Sequence, residues 1–358
     1  VNTIFMMWQY LLLLFFSPFS QGFSIYKQPY HVLPEQTKYD LQWYVIGQTS
    51  DFETNIPKKA TIWNKSYVVW KNEAGQFKAL DDVCSHRGAS LSGGSITNNC
   101  ATCPYHGYEF SDKGLLTKVP GIDFDKDRMI ASAHVDSYRA VEKNGWIWLN
   151  TYLCKESDIV TNIFEETNEI ASLASCVFLN MDFNCYSRVV SENSLDVMHI
   201  GFVHTFGNRK RPAPKELKPP HEIAPYHWKT SYAYEAGENS MAYQYFGNRE
   251  MVIENEFYLP HTTVARVIFG DFVSTVITFA LPISETKTRL FVKTYRNFWK
   301  NPIGDKLTES MMHQTMLQDK AVVENIDPQM VDGRFNMRFD KLQNTYKTFY
   351  KRFIHPKN

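Results

Sequence analysis

Two short pairs of cysteine and histidine constrain this chain more than any other feature. Cys84-Ser85-His86-Arg87-Gly88 precedes Cys103-Pro104-Tyr105-His106-Gly107, with a gap of sixteen residues between His86 and Cys103. Two soft and two borderline ligands therefore arrive from two segments. A Cys₂His₂ zinc site more often reads Cys-x-x-Cys with a later histidine pair on a helix, which reverses this order. Two cysteines on one iron and two histidines on the other, in a [2Fe-2S] cluster pinched between two hairpin loops, fit the order as it stands. Gly88, Gly93, Gly94 and Gly107 suit loops whose backbone amides approach the cluster sulfurs. Scattered surface cysteines and histidines would leave two ordered pairs unexplained.

The chain is long enough for two ordinary domains: 358 residues, 44% hydrophobic and 21% charged. Lys plus Arg (38) equals Asp plus Glu (38), so no global field favours nucleic acid or an anionic membrane. The six cysteines, Cys84, Cys100, Cys103, Cys154, Cys176 and Cys185, are too sparse for a secreted disulfide framework. They fit a reducing compartment with one metal site. At the N-terminus, the apolar run from Tyr10 to Phe16 is too short to span a bilayer. It reads as a signal-peptide core without the usual basic flank, and Phe23 resembles the first residue after cleavage in algal secondary-plastid leaders. The alternatives are an apolar arm on the body or, since position 1 is Val, an incomplete or over-extended reading frame. The expectation is a soluble protein, in the plastid if residues 1–39 are a cleaved leader and cytoplasmic otherwise.

From Gln42 to Asn150, β-branched and aromatic segments such as Trp43 to Ile46, Tyr67 to Trp70 and Trp146 to Leu149 alternate with Gly, Asn and Asp turns, which predicts a small all-β domain. Ser157 to Ala174 has helical spacing, with Ser157 or Asp158 as cap, and the domain boundary is placed near residue 155. Four antiparallel strands are expected over Val252 to Leu259, Thr262 to Phe269, Val273 to Leu281 and Arg289 to Phe298, with Pro282 to Lys287 as the last turn. A helix follows Pro302 and continues to about Asn325, and an amphipathic segment runs from Phe339 to Phe353. Aromatic strands between Tyr226 and Trp299 read more readily as core than as a substrate pocket.

The second dense stretch runs from Glu192 to His204 and carries Asn193, Asp196, His199 and His204 among apolar residues. Polar groups in such a run need partners. On a helix Asp196 and His199 share a face, and Gly201 can end that helix so that His204 turns back towards His199. Two imidazoles then meet one metal, although a histidine pair five apart also arises by chance.

The forms CSHRGASLSGG and CPYHGYEF resemble the Rieske family, and within it the oxygenases. The high-potential respiratory and photosynthetic members carry an extra cysteine in each loop. This chain has Ala89 and Tyr105 there, and Cys100 has no partner cysteine between Arg87 and Gly94. The resemblance implies a lower-potential cluster. Asn193, Asp196, His199 and His204 match the mononuclear-iron motif of Rieske non-haem iron oxygenases, Asn-x-x-Asp-x-x-His, four residues, His. It assigns the third iron ligand to a late Asp, here Asp319, with Glu324 and Asp327 as alternatives. By composition alone Asp319, beside Lys320, would read as a solvated helix carboxylate. Two histidines and one carboxylate leave adjacent positions on ferrous iron for dioxygen beside substrate.

The resemblance also implies that Asp196, with Asn193 nearby, holds an imidazole N–H and bridges the two metal centres across a subunit interface, hence a homotrimer. It runs from about residue 40 to 350, including Leu41-Gln42-Trp43-Tyr44-Val45 and Arg338-Phe339-Asp340-Lys341, and looks closest to aromatic O-demethylases and pheophorbide a oxygenase-like members. No C-terminal hydrophobic anchor like that of the latter is seen.

The implied fold class is α+β: residues 40–155 an all-β Rieske domain, residues 156–358 a helix-grip catalytic domain with an antiparallel sheet and helices. The implied activity is that of a monooxygenase acting on an aromatic, heterocyclic or pigment-derived molecule. Electrons would come from a ferredoxin or flavin-dependent reductase, and one atom of O₂ would leave as water. A Rieske electron carrier or redox sensor, and a cis-dihydroxylating dioxygenase, are the competing readings.

Overall fold

A computed structural model of the chain describes residues 42–121, 133–153, 163–166, 175–247 and 250–354. The expected leader and most of the helix expected from Ser157 to Ala174 lie outside these residues, and 163–166 carry no regular structure.

Ten strands come first: β1 (Trp43–Gln48), β2 (Lys58–Ile62), β3 (Lys65–Lys71), β4 (Phe77–Asp81), β5 (Ser95–Thr97), β6 (Cys100–Thr102), β7 (Glu109–Phe110), β8 (Leu116–Lys118), β9 (Ser137–Lys143) and β10 (Trp146–Asn150). They form a six-stranded antiparallel sheet, order β1-β10-β9-β4-β3-β2, and a small four-stranded sheet β5-β6-β7-β8. The small sheet begins as a two-residue hairpin. Asn98 and Asn99 both take the left-handed backbone that such a turn requires, and Asn99 accepts from the Trp70 indole at 3.2 Å, tying the hairpin tip to β3.

The second region holds β11 (Ser175–Phe183), α1 (Ser187–Leu195), α2 (Ile200–Val203), β12 (His221–Ala224), β13 (His227–Glu235), α3 (Met241–Gln244), β14 (Glu250–Tyr258), β15 (Thr262–Phe269), β16 (Phe272–Ser284), β17 (Lys287–Arg296), α4 (Pro302–Val323) and α5 (Lys341–Phe353). Its seven strands run β11-β17-β16-β15-β14-β13-β12, all antiparallel. The fold is α+β, as the sequence implied.

The large sheet is covered on both faces, which is why β17 is buried along almost its whole length. One face meets the first region: Trp146 and Trp148 pack edge-on against Phe279 at 5.5 and 5.2 Å, in a core that also takes in Ile277, Phe291 and Tyr295. The other face lies under helices. Val177, Leu290 and Val292 meet Val189 and Val190 of α1 and Met316 of α4, while Phe257 and Leu259 meet Leu342, Tyr346 and Tyr350 of α5. The last turn was expected from Pro282, but β16 continues to Ser284. The reason is a remote partner: the Trp63 and Asn64 amides, at the tip of the β2-β3 hairpin, donate to the Pro282 and Ile283 carbonyls at 2.8 Å.

Candidate metal centres

The first donor set sits on two loops built alike. In each, the cysteine amide donates to the carbonyl five residues on (Ala89 or Tyr108), and the cysteine carbonyl accepts from the glycine four residues on (Gly88 or Gly107), at 2.8 to 3.0 Å. Those glycines have φ of +74° and +72°, the left-handed region that side chains avoid. The turn sends each thiol inwards and each imidazole outwards. Cys84 and Cys103 are 2% exposed on a small core with Leu91, Ala101 and Phe110, whereas His86 and His106 are exposed, their rings 4.6 Å apart. Tyr108 stacks on His86 at 4.6 Å and 3°.

Burial, and then the adjacent Cys103 sulfur working against a backbone hydrogen bond from His86, push the Cys84 thiol up. Metal ligation relieves that penalty by taking the thiolate form. Asp82, almost fully buried, pins the first loop's exit by accepting from the Ser90 hydroxyl at 2.6 Å and from the Ser92 amide and hydroxyl at 2.6 and 2.8 Å. Gly94 runs so close to β6 that a Cβ there would meet the Thr102 carbonyl at 1.9 Å.

A single tetrahedral ion would draw its donors to within about 3.3–3.8 Å of one another. No three of the four loop donors come within 4.8 Å of one another; among the described residues the trio that does is His199, His204 and Asp319. Spacing thus disfavours one zinc between the loops and suits a centre with two metals.

In the second set, the Nε2 atoms of His199 and His204 are 3.2 Å apart, and each lies 3.6 or 3.5 Å from Asp319 Oδ1. Those edges suit an ion about 2.1 Å from each donor. The outer ring nitrogens fix the tautomers. His199 Nδ1 faces the Asp196 carbonyl at 2.8 Å, and His204 Nδ1 faces Gln318 Oε1 at 3.1 Å. Both acceptors lack a proton, so Nδ1 donates in each ring, and in the neutral form of each ring the Nε2 lone pair faces the carboxylate oxygen. Three lone-pair atoms in mutual contact are complementary to a cation. Burial, with His199 adding to it against the pull of Asp319, lowers the His204 pKa and keeps the ring in the neutral, ligating form. Asn193 Nδ2 donates to the same Asp319 oxygen at 2.9 Å, and Phe206 stacks on His204 at 4.8 Å.

The structure brings the predicted residues together by a different local route. Asp196 and His199 do not share a helix: α1 stops at Leu195, His199 precedes α2 and His204 follows it. The Asp196 carboxylate accepts from the Met198 and His199 amides at 2.6 and 3.1 Å, an Asx-type turn that competes with helix. The imidazole expected on that carboxylate is held by the Asp196 carbonyl instead. Gly201 lies inside α2 and does not end it; a Cβ there would meet Pro212 Cβ at 2.6 Å. Glu324 accepts from the Asn184 amide and pairs with Lys320 at 3.7 Å, and Asp327 accepts from the Gln329 amide at 2.9 Å, which leaves Asp319 as the third donor. Sequence reasoning missed Asp82, Tyr108, Phe206 and Gln318. Gln318 directly precedes Asp319, and adjacent helix positions ordinarily face different ways.

Two clefts border the trio. One, of about 560 Å³, is lined by His204, Arg209, Glu235 and Tyr243. The other, of about 370 Å³, is lined by Asn193, Asp196, His199, Val322 and Phe335.

Residues 42–138 match the Rieske [2Fe-2S] domain, and residues 183–355 match the vanillate O-demethylase oxygenase C-terminal domain. The chain is 27% identical over 285 residues to the chloroplastic pheophorbide a oxygenase of Oryza sativa subsp. japonica, covering 72% of this chain and 49% of the relative. It is 26% identical over 169 residues, 45% of each chain, to the iron-sulfur subunit of the toluene-4-sulfonate monooxygenase system of Comamonas testosteroni. It therefore spans about half the length of these curated relatives. Dicamba monooxygenase bound to dicamba has the same fold, with a TM-score of 0.74 at 20% identity over 88% of this chain and 97% of that one. So does NdmA of Pseudomonas putida CBB5 with caffeine, at 0.73 and 19% over 89% and 92%. The two domain matches occur in one chain and in that order, each over one donor set, so the chain belongs to the Rieske non-haem iron oxygenases, the family whose cofactors are a Rieske [2Fe-2S] cluster and a mononuclear iron.

Proposed function

We propose that this chain is the terminal oxygenase of a Rieske-type system. It takes electrons from a ferredoxin or flavin-dependent reductase and, as a monooxygenase, hydroxylates or O- or N-demethylates an aromatic, heterocyclic or pigment-derived small molecule. The relatives named for pheophorbide a and toluene-4-sulfonate support that substrate class. Cys84, His86, Cys103 and His106 hold the cluster in a domain of residues 40–155, and His199, His204 and Asp319 hold the iron in a domain of residues 156–358. The observation that carries this reading is the trio of His199, His204 and Asp319 donor atoms within 3.6 Å, in the same chain as the two loops.

When bound, the two cofactors supply reductive activation of dioxygen, with one electron from each. The protein's part is positional. Asn193 fixes the Asp319 oxygen, and Gln318 and the Asp196 carbonyl hold the two rings with Nε2 forward. The Asp196 side chain borders the open 370 Å³ cleft, where the exposed His86 or His106 edge of another subunit would dock in a homotrimer. Among the described residues no helix is long and apolar enough to cross a membrane. Chloroplastic relatives support a plastid location reached through a cleaved leader of residues 1–39.

His199→Ala tests the reading. Iron should fall from about three to about two per chain, the EPR signal of the reduced cluster should persist, and oxygen uptake with a ferredoxin system should stop. Wild-type uptake in this variant would defeat the assignment. Asp196→Asn should retain both metals yet stop oxidation of the cluster in a single turnover, and unchanged oxidation would remove the bridging role.

A further inference from the structure

A lysine interrupts the apolar contact between the two regions. On β17, Lys293 lies between Phe291 and Tyr295, and strand pairing sets Phe178 and Ile277 beside it. These four apolar neighbours belong to, or pack on, the core shared with Trp146 and Trp148. Lys293 itself is 4% exposed. Its three N–H donors are all used, one on the Asn144 carbonyl at 2.9 Å and two on the Glu166 carboxylate at 3.0 Å. The ammonium also lies 5.1 Å from the centre of the Phe178 ring and 4.7 Å from that of Tyr295, whose hydroxyl donates to Glu166. A charge at such a position breaks the apolar pattern of the face, and breaks of this kind concentrate where function requires them.

Three segments meet at this ammonium: β17, residues 163–166 between the two regions, and the β9-β10 turn. That turn is a rigid acceptor. Asn144 and Gly145 have φ of +57° and +79°, the left-handed pair of a two-residue hairpin turn. Burying an ion pair costs desolvation that its attraction barely repays, so stability does not explain it; a fixed register is its better-attested use. The apolar core holds the regions together but is non-directional. One polar anchor, the Trp63 and Asn64 amides on the Pro282 and Ile283 carbonyls, would by itself let the regions rock about the β2-β3 tip. Lys293 is a second anchor, and two points fix a tilt. The lever between this turn and the cluster loops is long. β9 runs from the turn to the core of Cys84 and Cys103, which Val135 joins just before β9 begins. At about 3.3 Å per residue the 7 residues of β9 span roughly 20 Å, so a tilt of about 5° moves the far end by roughly 2 Å. A hydrogen bond does not survive that displacement.

We infer that Lys293 is a positioning residue: held by Glu166, it pegs the β9-β10 turn to the large sheet and so sets how far His86 and His106 reach towards Asp196 of the partner subunit. It touches neither metal centre and acts only through the placement of the two loops. The inference rests on the reading of the chain as a homotrimeric oxygenase.

Lys293→Met combined with Glu166→Gln removes both charges at similar volume and leaves an acceptor for the Tyr295 hydroxyl. The Asn144 carbonyl passes to water, since that turn residue is exposed. The readout is microwave power saturation of the reduced-cluster EPR signal in the full chain, which needs no substrate. A paramagnetic iron nearby speeds relaxation of the cluster, steeply so as the distance shortens, and His199→Ala supplies the reference without that iron. In the parent, iron should make the signal harder to saturate. The double variant should keep the parental iron content and unfolding temperature yet lose most of that enhancement. Lys143→Ala, which cuts the exposed 2.6 Å pair with Glu165 between the same two segments, should keep it. Undiminished enhancement in the double variant, a loss that tracks missing iron or a lower unfolding temperature, or an equal loss in Lys143→Ala would overturn the inference. If iron leaves even the parent signal unchanged, the subunit arrangement fails and the inference falls with it.

Discussion

In the proposed iron site His204 would ligate the metal only while its proton stays on Nδ1, and one side chain keeps it there. Gln318 Oε1 accepts that proton at 3.1 Å, beside a ring that is almost fully buried. Gln318→Leu removes the acceptor at similar volume. The ring must then bury an unsatisfied N–H, at a cost of about 1–3 kcal/mol, or move the proton to Nε2 and lose the lone pair that faces Asp319. Either outcome subtracts from iron binding. The size agrees with the roughly 10–100-fold loss seen when a metal ligand's supporting partner is removed, which is about 1.4–2.7 kcal/mol. Gln318→Glu keeps an acceptor and should bind iron at least as tightly as the parent. The assay is iron competition against a chelator of calibrated affinity, with cluster absorbance reporting that the first domain is intact. Unchanged iron affinity in Gln318→Leu, or equal losses in the Leu and Glu variants, would refute the tautomer argument.

Two further substitutions probe the packing around the site. His261 is buried between Tyr44 and Tyr350 with neither ring nitrogen partnered, and burial pushes its pKa down to about 3. The unfolded chain, titrating near 6.5, then binds the proton more readily than the folded one. Stability should fall as pH drops from about 6.5 towards 3, by ~2 kcal/mol at pH 5, and His261→Leu should remove that part of the slope in urea unfolding; identical pH slopes would count against it. Gly201→Ala should lower stability by about 1–3 kcal/mol, because its Cβ would collide with Pro212, and should lower iron content too, since α2 sets the spacing of His199 and His204. Thermal unfolding and metal analysis read the two effects, and an unchanged iron content would show that α2 tolerates the shift.

What was legible in the sequence was what is local. The cluster loops could be read because all four donors fall within residues 84–106 and each pair lies in one turn. The strands β14 to β17 followed from β-branched and aromatic runs between turn residues, as did α4 from Pro302 onward. Misreadings arose where two local options compete or a distant partner decides. A helix through Asp196 is plausible by spacing, yet the Asp196 carboxylate captures the next backbone amides and ends it. A turn from Pro282 is plausible by composition, yet the β2-β3 hairpin supplies donors that prolong the strand.

The candidate iron site divides along the same line. The histidines lie five residues apart, while their carboxylate lies on a helix more than a hundred residues later, so Asp319 could be named only through family resemblance. Gln318 gave no signal at all, because its role depends on how α4 is rotated over α2. Which strand residues stand side by side is less legible still. Thr294 and Asn255 look like ordinary strand residues until the pairings of β14 with β15, β15 with β16, and β16 with β17 put them in one row. A slip of one residue in any of these pairings would turn a side chain of that row to the opposite face of the sheet. Which strand side chains share a row is therefore set by register, while the candidate metal donors lie largely in short motifs.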